Sequence, residues 1–210
     1  MRTKYAVPAA GEVFPDSELS ERDEVIHWDG MTRSMEGFMN HIILEGFMGS
    51  GKSAVGKALS RELGLPLIDI DKRVSGKLKM TTAEVYSHYG DAYYRAMETV
   101  ALAELQDETQ RSIIVLGSGL ALMPQNAPYL EKLGTVYYLK VGKQIVVERL
   151  SKGEKHSWLR AGDLEDKVVK MMKEREPAYK KVADVTIKVD GKTTAEIVAE
   201  IIECDSKGNN

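Results

Sequence analysis

The segment Gly46-Phe47-Met48-Gly49-Ser50-Gly51-Lys52-Ser53 satisfies G-x-x-x-x-G-K-[ST] at all four fixed positions, just after the apolar run His41-Ile42-Ile43-Leu44. Residue types at this spacing make a phosphate-binding loop between a strand and a helix. Glycines let consecutive backbone N–H groups converge on phosphate oxygens, and the helix N-terminus adds the positive end of its dipole. Gly49, Ser50, Gly51, Lys52, Ser53 and Ala54 are therefore the candidate nucleotide-binding residues. Lys52 supplies a mobile point charge for the outer phosphates from an exposed loop, and the Ser53 hydroxyl is short enough to reach a magnesium ion held against them. The plain alternative is a Gly-rich turn with an exposed lysine. The strand pattern before it and the helix pattern after it count against that reading.

Four further places carry chemistry-bearing residues. Asp69 and Asp71 close a second apolar run, where residues two apart point to the same side of a strand. Two carboxylates are costly to bury together unless a cation shares the site, and magnesium beside phosphates is such a cation; the bland reading is an N-cap at Asp71 with Asp69 solvated. Arg95 and Glu98 stand at i, i+3 in a helix after Gly90-Asp91, with Asp91 a plausible N-cap, and such pairs are usually surface ion pairs worth little. Arg175 continues the helical stripe Leu164, Val168, Met171 at i+11, so its guanidinium needs an anion, from the protein or from a ligand. Gly117-Ser118-Gly119 directly follows a third apolar run, either as a plain turn or as a place where backbone approaches a substrate closely.

Positioning these groups is the task of alternating elements. Strand-like runs at 42–44, 66–70, 113–116, 136–139 and 185–189 alternate with helical patterns at 52–63, 82–89, 92–106, 125–133, 143–150, 164–178 and 194–204. The alternation predicts an α/β fold in which helices cover both faces of a parallel sheet. Ligands of such sheets lie beyond the carboxyl ends of the strands, where the candidates above fall.

The rest of the chain narrows the function classes. At 210 residues and 43% hydrophobic it is long enough for one well-packed domain, here expected over 39–210, with 1–38 as a weakly structured, Pro- and Gly-interrupted acidic extension. A net charge of −3 provides no basic field for nucleic acid, and no apolar stretch is long enough to span a membrane or begin a secreted chain. The single cysteine, Cys204, agrees with a reducing cytoplasm. His27, His41, His88 and His156 have no metal-ligand spacing, so no zinc site is inferred.

Taken in order, the phosphate loop, Leu67-Ile68-Asp69-Ile70-Asp71, Gly90-Asp91-Ala92-Tyr93-Tyr94-Arg95-Ala96-Met97-Glu98, Leu116-Gly117-Ser118-Gly119 and Arg175-Glu176-Pro177-Ala178-Tyr179 resemble the shikimate kinase family of small P-loop kinases. The likeness spans about 40 to the C-terminus. It implies a P-loop NTPase fold in three α/β/α layers, with a five-stranded parallel sheet in the order 2-3-1-4-5 and a small lid at about 151–163. It also implies ATP and shikimate as co-substrates, a magnesium cofactor, a monomer, and phosphoryl transfer to the 3-hydroxyl of shikimate. By the same resemblance Asp69 supports magnesium through water, together with Ser53, and Asp71 holds the substrate hydroxyls and takes the proton. Arg95 and Arg175 grip the substrate carboxylate, Glu98 orients Arg95, Gly117, Ser118 and Gly119 line the site, and Arg149 lies against the adenine ring.

Two positions depart from the family pattern. Ser118 stands where the family has the middle glycine of a triplet. His156-Ser157-Trp158-Leu159 replaces the usual Arg-Pro-Leu-Leu of the lid, leaving Lys155, His156 or Arg160 to stand in for its arginine. Two alternatives remain at this level: a kinase for another hydroxy acid such as gluconate, since two arginines suit any such carboxylate, and a catalytically weak nucleotide- or substrate-binding regulator, which the altered lid favours and the intact Lys52, Ser53, Asp69 and Asp71 oppose.

Overall fold

The computed structural model describes residues 40–152 and 163–208. The proposed extension and residues 153–162 of the stretch expected to form the lid, with Lys155, His156 and Arg160, fall outside them. Strand β1 (His41–Glu45) is buried along its whole length and occupies the middle of the sheet. It pairs in parallel with β3 (Ile113–Val115) on one side and with β4 (Gly134–Lys140) on the other. The edges are β2 (Leu67–Asp69) and β5 (Val185–Lys188), which gives the expected order β2-β3-β1-β4-β5.

The period of two along β1 divides the core. Ile42 and Leu44 point to one face, where they meet Val55 and Leu59 of α1 (Lys52–Leu63) and Ile197 and Ile201 of α7 (Thr194–Gly208). Val146 of α5 (Lys143–Lys152) and Val168 of α6 (Leu164–Val182) extend that layer. Ile43 points to the opposite face, against Ile70 and Val74 of α2 (Ile70–Leu78), Val85 and Leu102 of α3 (Thr82–Ala103) and Leu130 of α4 (Ala127–Leu133). Each such side chain removed from water contributes about 1.5–3 kcal/mol, so the central strand alone supports both layers.

Three elements differ from the sequence expectation. The second strand ends at Asp69 and the helix α2 begins at once, with Asp69 as its N-cap accepting from Lys72 N at 3.2 Å. Asp69 and Asp71 therefore do not share one side of a strand: one caps the helix and the other lies in its first turn. The patterns at 82–89 and 92–106 merge into α3, opened by a capping box between Thr81 and Glu84 and interrupted only at Gly90 (φ 81°, ψ 176°), with the last residues forming a 3-10 turn, Glu104–Asp107. Asp91 does not cap the second half by a side-chain bond to the backbone; its carboxylate pairs with Arg95 Nη2 at 3.3 Å.

At the end of the sheet remote from the phosphate loop, Arg111 donates from Nη2 to both oxygens of Asp205 at 2.6 and 2.7 Å and from Nε to Asn40 O at 2.7 Å. This ties α7 to the segment before β1. Beside it His41, 1% exposed, accepts from Ser112 N through Nδ1 at 3.0 Å, a bond that needs the neutral ring. Burial pushes its pKa below the ordinary value, with Arg111 acting in the same direction and Glu108 against it. A histidine whose folded pKa is depressed contributes stability above its unfolded pKa and loses it as pH falls through about 6.5. Replacing His41 by Asn keeps an acceptor for Ser112 N without a titrating ring. The Tm advantage of wild type over His41→Asn is therefore expected to be largest above pH 7 and to shrink steadily down to pH 5.5 in thermal melts; a constant gap refutes the assignment.

Candidate functional site

The phosphate loop runs from the end of β1 to the start of α1 and is closed on itself by Ser50 N donating to Phe47 O at 3.1 Å. Gly51 is the residue before α1, with φ 99° and no side-chain cap, and Gly49 has φ 80°. L-residues with a Cβ are strained there, so the motif's glycines are conformational requirements. Because no side chain caps α1, its first N–H groups remain available to an anion. Ser53 and Ala54 are exposed on the first turn, and Arg149 of α5 lies across the loop, donating from Nη1 to Gly49 O at 2.7 Å.

Lys52 is not the exposed charge the sequence suggests. It is 9% exposed, and its ammonium turns back on the loop, donating to Gly46 O at 2.5 Å and to Phe47 O at 3.3 Å. The Phe47 carbonyl already accepts from Ser50 N, so the ammonium is a second donor there and a donor to Gly46 O. Burial lowers the Lys52 pKa, while Glu45, Asp71 and Asp69 act to keep the charge. The same interactions place Asp69 and Asp71 within electrostatic reach of the loop.

The residues expected to bind the acceptor lie on α2, α3, α6 and the segment after β3. Tyr94, buried on α3, donates its hydroxyl to Asp71 Oδ1 at 2.7 Å and so fixes that carboxylate. Arg95 and Glu98 form a largely buried pair, not the surface pair that their spacing alone suggests. Arg95 Nη1 donates to Glu98 Oε2 at 2.6 Å, and the guanidinium stands over the rings of Tyr86 and Tyr94 at 5.9 and 5.7 Å. Burial pushes the Glu98 pKa up to about 7 against the opposing pull of Arg95. Burial acts against the charge on Arg95 as well, but Glu98 more than offsets it and the pKa of Arg95 is raised.

The two glycines after β3 are required for steric reasons. A Cβ on Gly117 would lie 2.0 Å from Glu98 Oε1 and 2.8 Å from Asp71 Oδ1, and one on Gly119 would lie 2.2 Å from Arg95 Nη1. Ser118 between them is partly exposed, and its carbonyl accepts from Tyr179 OH at 2.6 Å. The family pattern's middle glycine can thus carry a side chain here, whereas the outer two cannot without moving the charged groups behind them.

Arg175, one helical turn before Tyr179 on α6, stands over the Phe47 ring at 5.8 Å, and its buried Nη1 has no hydrogen-bond partner in the protein. Arg95, Gly119, Ser118, Tyr179 and Arg175 are therefore linked in sequence by direct contacts across three parts of the chain. An unpaired guanidinium nitrogen in a buried position fits an oxyanion of a ligand. For a cation, the suitable donors are hard oxygens: the Ser53 hydroxyl and the Asp69 carboxylate. Among the described residues no group of three or more His, Cys, Asp or Glu side chains is arranged to hold a metal.

Three residues of this arrangement escaped the reading by residue type. Tyr94 and Tyr179 sit inside the family-like segments but gave no periodicity signal. Glu45 did give one: it is a carboxylate ending an otherwise apolar strand. It is 0% exposed, accepts from Gly46 N through Oε1 at 2.7 Å, and leaves Oε2 without a partner.

Comparisons with known proteins agree with this geometry. A family model described as shikimate kinase matches residues 48–206. A shikimate kinase of Caldanaerobacter subterraneus subsp. tengcongensis is 35% identical over 164 residues, covering 78% of this chain and 95% of that protein. Among solved structures, a shikimate kinase from Acinetobacter baumannii in complex with shikimate superposes with a TM-score of 0.75 at 27% identity, covering 80% of this chain and 94% of that one. The Aquifex aeolicus shikimate kinase superposes with a TM-score of 0.67 at 30% identity, covering 80% and 97%. A strand order, a phosphate loop and a pair of arginines backed by buried groups thus coincide with a family match over most of the sequence, and the chain belongs to the shikimate kinase family.

Proposed function

We propose that this chain transfers the γ-phosphoryl group of ATP to the 3-hydroxyl of shikimate, giving shikimate 3-phosphate and ADP. The observation that carries the acceptor side is the buried, unpartnered Nη1 of Arg175, linked through Tyr179 and the Ser118 carbonyl to the Gly119 backbone that packs on Arg95. Two guanidinium groups set in this way suit a carboxylate held by forked hydrogen bonds. Family membership favours shikimate over other hydroxy acids such as gluconate.

In this reading the beta- and gamma-phosphates lie in the N–H cradle of Gly49 to Ser53, and Lys52 moves from the Gly46 and Phe47 carbonyls to the phosphate oxygens. Ser53 directly and Asp69 through water would hold magnesium, which supplies charge neutralisation on the phosphates. Arg95, oriented by Glu98, and Arg175 fix the carboxylate and thereby aim the hydroxyl. Asp71, held by the Tyr94 hydroxyl, accepts the hydroxyl proton. Arg149, already across the loop, borders the nucleotide. A coupled ADP-release assay with shikimate, quinate and gluconate in parallel tests the substrate: turnover with shikimate well above the others is expected, and equal or greater turnover with gluconate overturns the assignment.

Two substitutions separate the two halves of the site. Lys52→Ala removes a phosphate-clamping charge and is expected to lower kcat by about three orders of magnitude. It also removes the ammonium that donates to the Gly46 and Phe47 carbonyls, so a modest fall in Tm should accompany it. Retention of more than a tenth of wild-type activity would remove Lys52 from the mechanism. Arg175→Met conserves the stripe on α6 and removes a desolvated nitrogen, so Tm should hold or rise. The shikimate KM should increase about ten- to a hundredfold with a fall in kcat, while the ATP KM stays put. A change confined to the ATP KM would instead make Arg175 a phosphate ligand.

A further inference from the structure

Glu45 has no place in the mechanism above, yet it lies directly beneath the phosphate loop. Its carboxyl group receives one hydrogen bond, from Gly46 N, and its second oxygen is buried with no partner. An anion so poorly solvated depends on neighbouring charge. The charged groups that face it are Lys52 at the start of α1, Glu98 on α3 and Arg175 on α6, and the phenols of Tyr138 on β4 and Tyr179 on α6 face it too. Of these, Lys52 acts on it most strongly.

The next step rests on the phosphate-loop reading. When outer phosphates bind, Lys52 leaves the Gly46 and Phe47 carbonyls for the phosphate oxygens, and the incoming anions bear on Glu45 as well. Glu45 then loses part of its counter-charge and gains like charges while remaining out of water. A buried carboxylate in that position is relieved by neutralisation. We infer that Glu45 is a positioning residue for Lys52, holding the ammonium beside the loop and taking up a proton from solvent as the nucleotide phosphates draw it away. Burial has already pushed the Glu45 pKa up to about 7, so a small further push suffices at neutral pH.

Calorimetric titration of the full chain with magnesium and β,γ-imido ATP, in buffers of different ionisation enthalpy at pH 7, counts the protons exchanged. Wild type is expected to take up on the order of half a proton more than Glu45→Gln, and between pH 7 and 8 its nucleotide affinity should fall about threefold relative to that variant. Lys52→Met gives a second comparison that does not depend on the folding of Glu45→Gln: with no ammonium to release, Glu45 stays neutral and the extra uptake disappears. A purely structural Glu45 would change Tm and leave the proton count of all three proteins equal, which overturns the inference while leaving the kinase reading intact. Absence of nucleotide binding to the wild type overturns both.

Discussion

The hydrogen bonds from the Lys52 ammonium to the Gly46 and Phe47 carbonyls organise the charged end of this sheet. They place a cation in a buried position, and a buried cation demands carboxylates within reach. Glu45, Asp69 and Asp71 meet that demand from the ends of β1 and β2 and the first turn of α2. Those elements converge there because a parallel sheet aligns all its strand ends on one side, with β1 in the middle. Covering both faces with helices supplies the stability that pays for the polar cluster.

That cluster is incompletely satisfied, and the shortfall is local. Among the described residues the buried side-chain atoms without partners are Glu45 Oε2, Ser50 Oγ, Glu98 Oε1, Arg175 Nη1 and Asn126 Oδ1. All but the last belong to the loop or to groups that surround it. Native interiors rarely leave such atoms bare; Ser50 Oγ and Arg175 Nη1 can donate to a bound anion, whereas the Glu45 and Glu98 oxygens are relieved only by a donor or by protonation. The raised pKa of Glu98, driven by burial and opposed by Arg95, reflects the same compromise between charge and desolvation.

Much of the fold was legible in the sequence because apolar period and length specify buried parallel strands well, and the strand order followed from the family resemblance. The helix α2 was not, since its buried face is a stripe of two residues, Ile70 and Val74, with Leu78 partly buried beside them. In the site, the loop motif and the i+11 position of Arg175 were readable as pattern. Burial was not: Lys52 looked like a solvated charge and Arg95–Glu98 like a surface pair, because neither spacing nor residue type tells which side of a helix a tertiary neighbour will cover. Tyr94 and Tyr179 act through hydroxyls that only the folded chain brings to Asp71 and Ser118. Glu45 was visible as a misfit in an apolar strand, and its meaning depended on knowing that Lys52 folds back toward it.

The tie from Tyr179 to the Ser118 carbonyl fastens α6 to the glycine segment that packs on Arg95. In the proposed acceptor site one helix thus carries one anchoring arginine and props up the backbone behind the other. The two anchors cannot be retuned separately: a displacement of α6 that widens the gap for a longer acid also pulls on the platform beneath Arg95. Selection or redesign toward a different acceptor length would have to alter helix and loop in concert, and single-residue changes on either would sooner degrade affinity for every acid than exchange one for another.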